Sequence, residues 1–328
     1  MAGEGFLRVS GTANLPAHLK GGVVAIGNFD GVHRGHQAVL ERALQEARSR
    51  GKPAVVLTFN PHPRRYFAPD APLLELTPPA LKARLLAGLG FDAVVEQPFD
   101  AHLADLDAQD FVSRLLVGEL GISGAVTGFD FHFGRGRGGT PRFLREAGER
   151  LGFTVECVEA FTDEGGATIS SSRIRDALAH GDVAEAAGLL GYRWTVQAEV
   201  RQGRQLGRTL GYPTANMHLH SSVDLRHGIY AVRFRRGNGS LHDGVASFGR
   251  RPTVEEDGAP LLETYLFDFS GDLYWENASV SLFGFLRAEE KFESLEALVA
   301  RMRQDDAEAR ALLSKVQPLS DLDRRIAF

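Results

Sequence analysis

The feature that most restricts the fold of this chain is a change of hydrophobic pattern close to Gly191. Before it, short apolar runs alternate with segments of helical period; after it, strand-like segments succeed one another with only turns between them. In the first part, residues 22–26, 54–59, 93–96, 124–127 and 154–158 are short runs suited to strands, the first two apolar enough to be buried on both faces. Leu40, Ala43, Leu44 and Ala47 recur at helical spacing between the first two, and 81–89, 111–120 and 141–151 read as further helices. Repeated strand–helix units predict an α/β domain with a doubly wound parallel sheet, whose ligands sit at the C-terminal ends of its strands. In the second part, 195–200, 228–235, 243–248, 261–269 and 278–286 read as strands. Glu263, Tyr265, Phe267 and Phe269 alternate and would share one face. Leu295, Leu298, Val299 and Met302 mark the apolar stripe of a long helix after them. This pattern predicts a small antiparallel β-barrel closed by a C-terminal helix. The expected domains are 1–186 and 187–328.

A length of 328 residues suits two domains, and 43% hydrophobic residues suffice for two cores. Lys and Arg number 37 against 42 Asp and Glu, a net charge of −5, the wrong sign for a nucleic-acid coat or a binder of anionic membranes. The N-terminus shows no basic stretch followed by an apolar one, and no apolar run reaches the roughly 18–20 residues that cross a bilayer. The single cysteine, Cys157, excludes an internal disulfide framework and a Cys-based zinc cluster. The expectation is a soluble cytoplasmic protein with no nucleic-acid or membrane partner. Self-association into a homo-oligomer is compatible with all of this.

The stretch from Gly27 through Asn28, Phe29, Asp30 and Gly31 to His33, Gly35 and His36 follows the first strand and opens the first helix. Backbone N–H groups and the helix dipole favour a phosphate at such a junction. His33 and His36, three apart, would point the same way and could offset charge on a triphosphate undergoing displacement. Gly35 between them would let a ligand approach the backbone. A second cluster, Ser170, Ser171 and Ser172 followed by Arg173 and Arg175, combines helix-capping hydroxyls with two cations flanking Ile174. His62 and Asp130 follow predicted strands at the ligand-binding edge of the sheet, and the Gly- and Arg-rich run 135–142 reads equally as a solvated loop or as a mobile flap over an anionic substrate. In the second half, Gly203, Gly207, Arg208, Gly211 and Pro213 form a loop able to wrap an anion. Thr214 and Asn216, alternate residues in extended chain, could ligate a hard Mg²⁺ beside phosphates. Taken by itself, that stretch reads better as an ordinary Gly/Pro turn with Thr and Asn as turn formers.

The run 28–36 resembles the His-x-Gly-His signature of nucleotidylyltransferases, and 170–175 resembles their second motif. With 60–63 and 130–134 the first half looks like the adenylyltransferase half of the bacterial bifunctional riboflavin kinase/FAD synthetases. Pro213 to Asn216 resembles the Pro-Thr-Ala-Asn motif of riboflavin kinases, and 228–230, 249–253, 262–263, 271–274 and 286–287 match further kinase motifs in order. Ala198, Ser247 and Tyr265 depart from the family, where Gly, Asn and His are expected. The resemblance implies ATP-dependent conversion of riboflavin to FMN and of FMN to FAD. It implies Mg²⁺ with ATP, flavins as substrate and product, and Glu263 as the kinase's catalytic base. On an aromatic strand face, partial desolvation of that carboxylate would favour such a role. His33, His36, Arg173 and Arg175 would stabilise charge in the adenylyl transfer. Two rival readings are a nucleotidylyltransferase of another substrate with a ligand-binding barrel, and a non-catalytic flavin-binding regulatory protein. The pairing of Pro213–Asn216 with Glu263 opposes the first, and the presence of His33, His36 and Glu263 opposes the second.

Overall fold

The computed structural model describes residues 5–203, 211–250 and 259–328. The chain divides into two compact units, one of residues up to Leu73 with Thr77–Ser170, the other of Leu74–Leu76 with Ser171–Phe328. Helices Ser171–His180 and Val183–Leu190 thus cluster with the second unit. So does the tripeptide 74–76: Leu74 C=O accepts from Arg175 Nε (2.7 Å) and Leu76 C=O from Trp194 Nε1 (3.1 Å).

In the first unit, six parallel strands lie in the order β1 (Leu7–Ser10), β4 (Ala93–Pro98), β3 (Ala54–Asn60), β2 (Val23–Ile26), β5 (Gly124–Gly128), β6 (Thr154–Val158). The edge strand β1, half-exposed at alternate residues, has too short an apolar pattern for the sequence to announce it. β2 is buried along its whole length, as its unbroken apolar run requires. The chain proceeds from β2 outward through β3 to β4 and then returns to place β5 on the other side of β2. The loops after β2 and β5 therefore diverge at a topological switch point, where sheets of this kind open a crevice. The segment read as a helix over 111–120 is a π-helix, Phe111–Glu119, that buries Phe111, Val112, Leu115 and Leu116.

In the second unit, six antiparallel strands close a barrel in the order β10 (Leu241–Arg250), β11 (Pro260–Leu266), β8 (Thr214–His218), β7 (Thr195–Arg201), β12 (Asn277–Arg287), β9 (Gly228–Arg235). The expected alternation on β11 stops early. Asp268 has a positive φ of 55°, which ends the extended run, and Phe269 packs instead on His242 at 4.9 Å. The closing helix, Leu295–Leu313, also differs from expectation: Leu295 is 55% exposed, and the buried positions are Asp305, Ala309 and Leu313. Its apolar contacts are with Ala231, Phe267 and Phe283. Its register is fixed by the Asp305 carboxylate, which accepts from Arg287 Nε (2.9 Å) and Nη2 (2.7 Å) on β12. Charge pairing therefore overrides the most apolar turn of the helix. Helix Asp321–Ala327 is held by fully buried Asp323, which accepts from the N–H groups of Arg193 (2.8 Å) and Leu319 (2.9 Å) and pairs with the Arg193 guanidinium.

Candidate active sites

β2 ends at Ile26, and the chain turns through Gly27–His33 before entering the first helix, Arg34–Arg50. Phe29 (φ 47°) and Val32 (φ 39°) occupy the left-handed region, a cost of about 1–3 kcal/mol each for such residues. Surrounding structure over-determines this shape. Phe29, Asp30 and Val32 are buried. Asp30 Oδ1 accepts from the Thr77 N–H (3.2 Å), Thr77 Oγ1 accepts from the Gly31 N–H (2.8 Å), and Lys82 Nζ donates to the Asn28 carbonyl (2.7 Å). Asp30, read from the sequence as a nucleotide contact, is thus an inward-facing brace, while Asn28 is exposed at the lip. His33 caps the helix, its Nδ1 accepting from the His36 N–H at 3.2 Å. The two imidazoles stack at 3.6 Å, and Phe29 meets His36 edge-on at 5.4 Å. A Cβ on Gly35 would lie 3.2 Å from the His33 ring and 3.6 Å from the Ile169 carbonyl. Gly35 therefore makes room for His33 and for the segment leading to Ser170.

Burial, followed by the proximity of His33 and Lys82, holds the His36 imidazole well below its usual pKa. That shift favours the neutral imidazole, and among the described residues its buried Nδ1 has no hydrogen-bond partner. What the loop offers an anion is neutral N–H donation, joined by the amides at the head of the helix ahead of His36, whose own N–H is capped by His33.

Elsewhere in this unit, His62 caps the short helix Pro63–Phe67, its Nδ1 accepting from the Arg64 N–H (3.1 Å). Asp130 is exposed just past the end of β5. The run 135–142 is a short looped turn: Phe133 and Gly139 exchange backbone hydrogen bonds of 3.1 and 2.8 Å, Arg135 to Gly138 are exposed, and Thr140 caps helix Pro141–Leu151.

In the second unit, helix Ser171–His180 starts inside the serine cluster and is anchored by fully buried Ile174. The flanking arginines have protein partners. Arg173 Nη2 donates to Glu185 (3.0 Å), and Arg175 Nε to Leu74 C=O. In the barrel, register assembles the kinase-like residues. Glu263 on β11 lies directly across from Asn216 on β8 and Ser247 on β10, and Tyr265 lies across from Thr214. The Asn216 Nδ2 donates to the Thr214 carbonyl (3.1 Å) and is 3.5 Å from Thr214 Oγ1, while its buried Oδ1 has no partner among the described residues. Gly203 lies against this amide: a Cβ there would come within 2.6 Å of Oδ1. Tyr265 stacks obliquely on Tyr212 at 4.8 Å, and burial together with nearby Asp306 pushes its phenol pKa up. Gly211 and Pro213 lead into β8, whereas Gly207 and Arg208, like 251–253, lie outside the described residues.

Two family models match the chain in tandem, FAD synthetase over residues 15–173 and riboflavin kinase over 190–313. The Pseudomonas fluorescens bifunctional riboflavin kinase/FMN adenylyltransferase is 42% identical over 93% of this chain and 97% of its own length. The chain belongs to that bifunctional family. The Escherichia coli K12 member is 40% identical over 94% of this chain and 99% of its own length. A crystal structure of a Streptococcus pneumoniae protein described as a macrolide-efflux protein shares the fold over 93% of this chain, with a TM-score of 0.82 and 32% identity. Among the described residues of this riboflavin kinase/FMN adenylyltransferase family member, no helix is long and apolar enough to cross a membrane.

Motif reading missed two groups in the first unit, Thr77 and Lys82. Neither belongs to a motif, and both reach the histidine loop from the segment before β4. Lys82 left one legible trace, a cation in the apolar stretch 81–89.

Proposed function

We propose that the two activities are divided along the chain, with FMN adenylyltransferase chemistry in 1–186 and riboflavin kinase chemistry in 187–328. The enzyme phosphorylates riboflavin to FMN and then adenylylates FMN to FAD, consuming ATP in each step and releasing pyrophosphate in the second. The observation that carries the division is that each half has its own constellation: the stacked histidines at the head of the first helix, and Glu263 beside Asn216 in the barrel.

In the adenylyl transfer, the FMN phosphate attacks the α-phosphorus of ATP. That nucleophile is already anionic, so the protein has no proton to remove and acts by placing ATP and stabilising charge. Asn28 and the amides from Gly27 to Gly35 hold the nucleotide, and His33 and His36 donate hydrogen bonds as charge builds. By their resemblance to the second nucleotidylyltransferase motif, Ser170, Ser171, Ser172, Arg173 and Arg175 are assigned to phosphate contacts in the same reaction. His62 and Asp130 contact the nucleotide from the neighbouring strand ends.

In the kinase step, Glu263 accepts the proton of the ribityl 5′-hydroxyl as its oxygen attacks the γ-phosphorus. Mg²⁺ suits the residues present. The buried Asn216 Oδ1, without a partner among the described residues, is a hard oxygen donor beside the Thr214 hydroxyl, and no cluster of three acidic, His or Cys groups that could hold a metal exists among those residues. Thr214 and Asn216 would help hold such an ion, which would neutralise charge on the substrate phosphates. Gly203, Gly207, Arg208, Gly211 and Pro213 surround the nucleotide phosphates in this reading. Partners are the small molecules riboflavin, FMN and ATP, and the single cysteine fits a cytoplasmic location.

Incubation of the full chain with riboflavin, ATP and Mg²⁺, followed by chromatographic separation of flavins, tests the reading. FMN followed by FAD is expected; unchanged riboflavin overturns it.

A further inference from the structure

Lys82 is the one lysine among the buried polar residues, only 8% exposed, and lies on helix Pro79–Leu89 between buried Leu81 and Ala83. An ammonium taken out of water is costly unless polar groups receive it. Here they belong to the histidine loop and to the strand beside it. Nζ donates to the Asn28 carbonyl at 2.7 Å and lies 3.5 Å from Thr58 Oγ1, whose hydroxyl donates to that same carbonyl at 3.1 Å. Two donors thus pin one carbonyl at the start of a strained turn. Because the peptide is planar and trans, fixing the Asn28 C=O on the Lys82 side turns the Phe29 N–H to the other side. From the same segment, Thr77 accepts from the Gly31 N–H and donates its own N–H to Asp30. Three hydrogen bonds thus join Thr77 and Lys82 to that loop's backbone and its one carboxylate.

We propose that Lys82 is a positioning residue for adenylyl transfer, its buried ammonium setting the orientation of the Asn28–Phe29 peptide and hence of the loop that receives the ATP phosphates. This rests on the reading of the first unit as the adenylyltransferase. Lys82 touches no reacting atom; it acts through Asn28. Misplacing a positioning element by about 1 Å can lower a rate about a hundredfold.

The test uses the full chain and compares Lys82→Met, which keeps length and loses the donor, with Lys82→Arg, which keeps the charge. FMN-to-FAD kinetics, riboflavin kinase kinetics and thermal melting are read on the same preparations. For Lys82→Met, kcat/KM for ATP in FAD formation should fall about 10- to 100-fold, with a raised KM for ATP and a KM for FMN within twofold of the parent. Lys82→Arg should recover part of the loss, and riboflavin phosphorylation should be unchanged. A variant that merely misfolds would lose active fraction, lowering kcat without moving the KM for ATP. If Lys82→Met does not fold, Lys82→Gln is read by the same criteria. Parental kinetics in a folded variant, or loss of kcat alone tracking the melt, overturns the inference while leaving the first-unit reading intact. Absence of FAD formation by the parent protein overturns both.

Discussion

The two candidate sites are built in opposite ways. In the first unit, the histidine pair and its glycines come from one contiguous stretch, 27–36, and the fold's contribution is to hold that stretch in a shape it would not adopt alone. In the barrel, Thr214 and Glu263 are separated by 49 positions (263 − 214 = 49), and they share a site only because β8 and β11 pair with Asn216 opposite Glu263. A one-residue slip in that pairing would turn every side chain of the strand to the other face. The first site is therefore vulnerable to loss of local bracing, and the second to loss of register.

The largest effect expected from separating the two is that of Glu263→Gln. The amide keeps the shape but cannot take a proton, so riboflavin phosphorylation should fall roughly 100- to 10,000-fold, mostly in kcat. Conversion of supplied FMN to FAD should continue at the parental rate. A kinase rate within a few-fold of the parent removes Glu263 from the mechanism. Asp323→Ala tests the barrel's framework without touching its site. The Arg193 guanidinium, which also lies 5.0 Å from the Phe283 ring, would be left without its buried carboxylate. Loss of one partner of a buried pair costs about 3–5 kcal/mol. In denaturant titration the kinase activity should be lost earlier than in the parent, with FMN-to-FAD conversion much less affected; equal sensitivity of both activities would show that the two units unfold together.

His36→Ala applies the reverse test. Removal of one donor to developing charge typically costs about 100- to 1,000-fold, so FAD formation should drop by that factor while FMN accumulates from riboflavin. Parental FAD formation would make His36 a packing residue. The smallest effect is expected from Gly203→Ala, whose Cβ would crowd the Asn216 amide. Disturbing a group next to a metal ligand typically costs about 10- to 100-fold in metal affinity, so the Mg²⁺ titration of the kinase should shift upward by about tenfold and saturating Mg²⁺ should restore most of the rate. An unshifted titration would place the metal elsewhere.

The fold was largely legible in sequence because hydrophobic period reports local geometry: the apolar runs became β2 to β6, and the consecutive strands became a closed barrel. Reading failed where a non-local term outweighed the local one. The apolar turn of helix Leu295–Leu313 stays half-exposed because the Asp305–Arg287 pair sets the helix's register. The strand beginning at Pro260 ends before Phe269 because Asp268 adopts a left-handed conformation.

The sequence alone determined β2 to β6 and the longer helices between them, five of the six barrel strands, and the histidine pair, since each is encoded within about ten consecutive residues. Only the tertiary structure decided that Asp30 faces inward, that Gly35 makes space for His33, that burial favours the neutral form of His36, and that Thr77 and Lys82 brace the loop. It alone set Ser247 and Asn216 on either side of Glu263. Burial, charge proximity and strand register are properties of groups distant in the chain, and no local pattern of residues carries them.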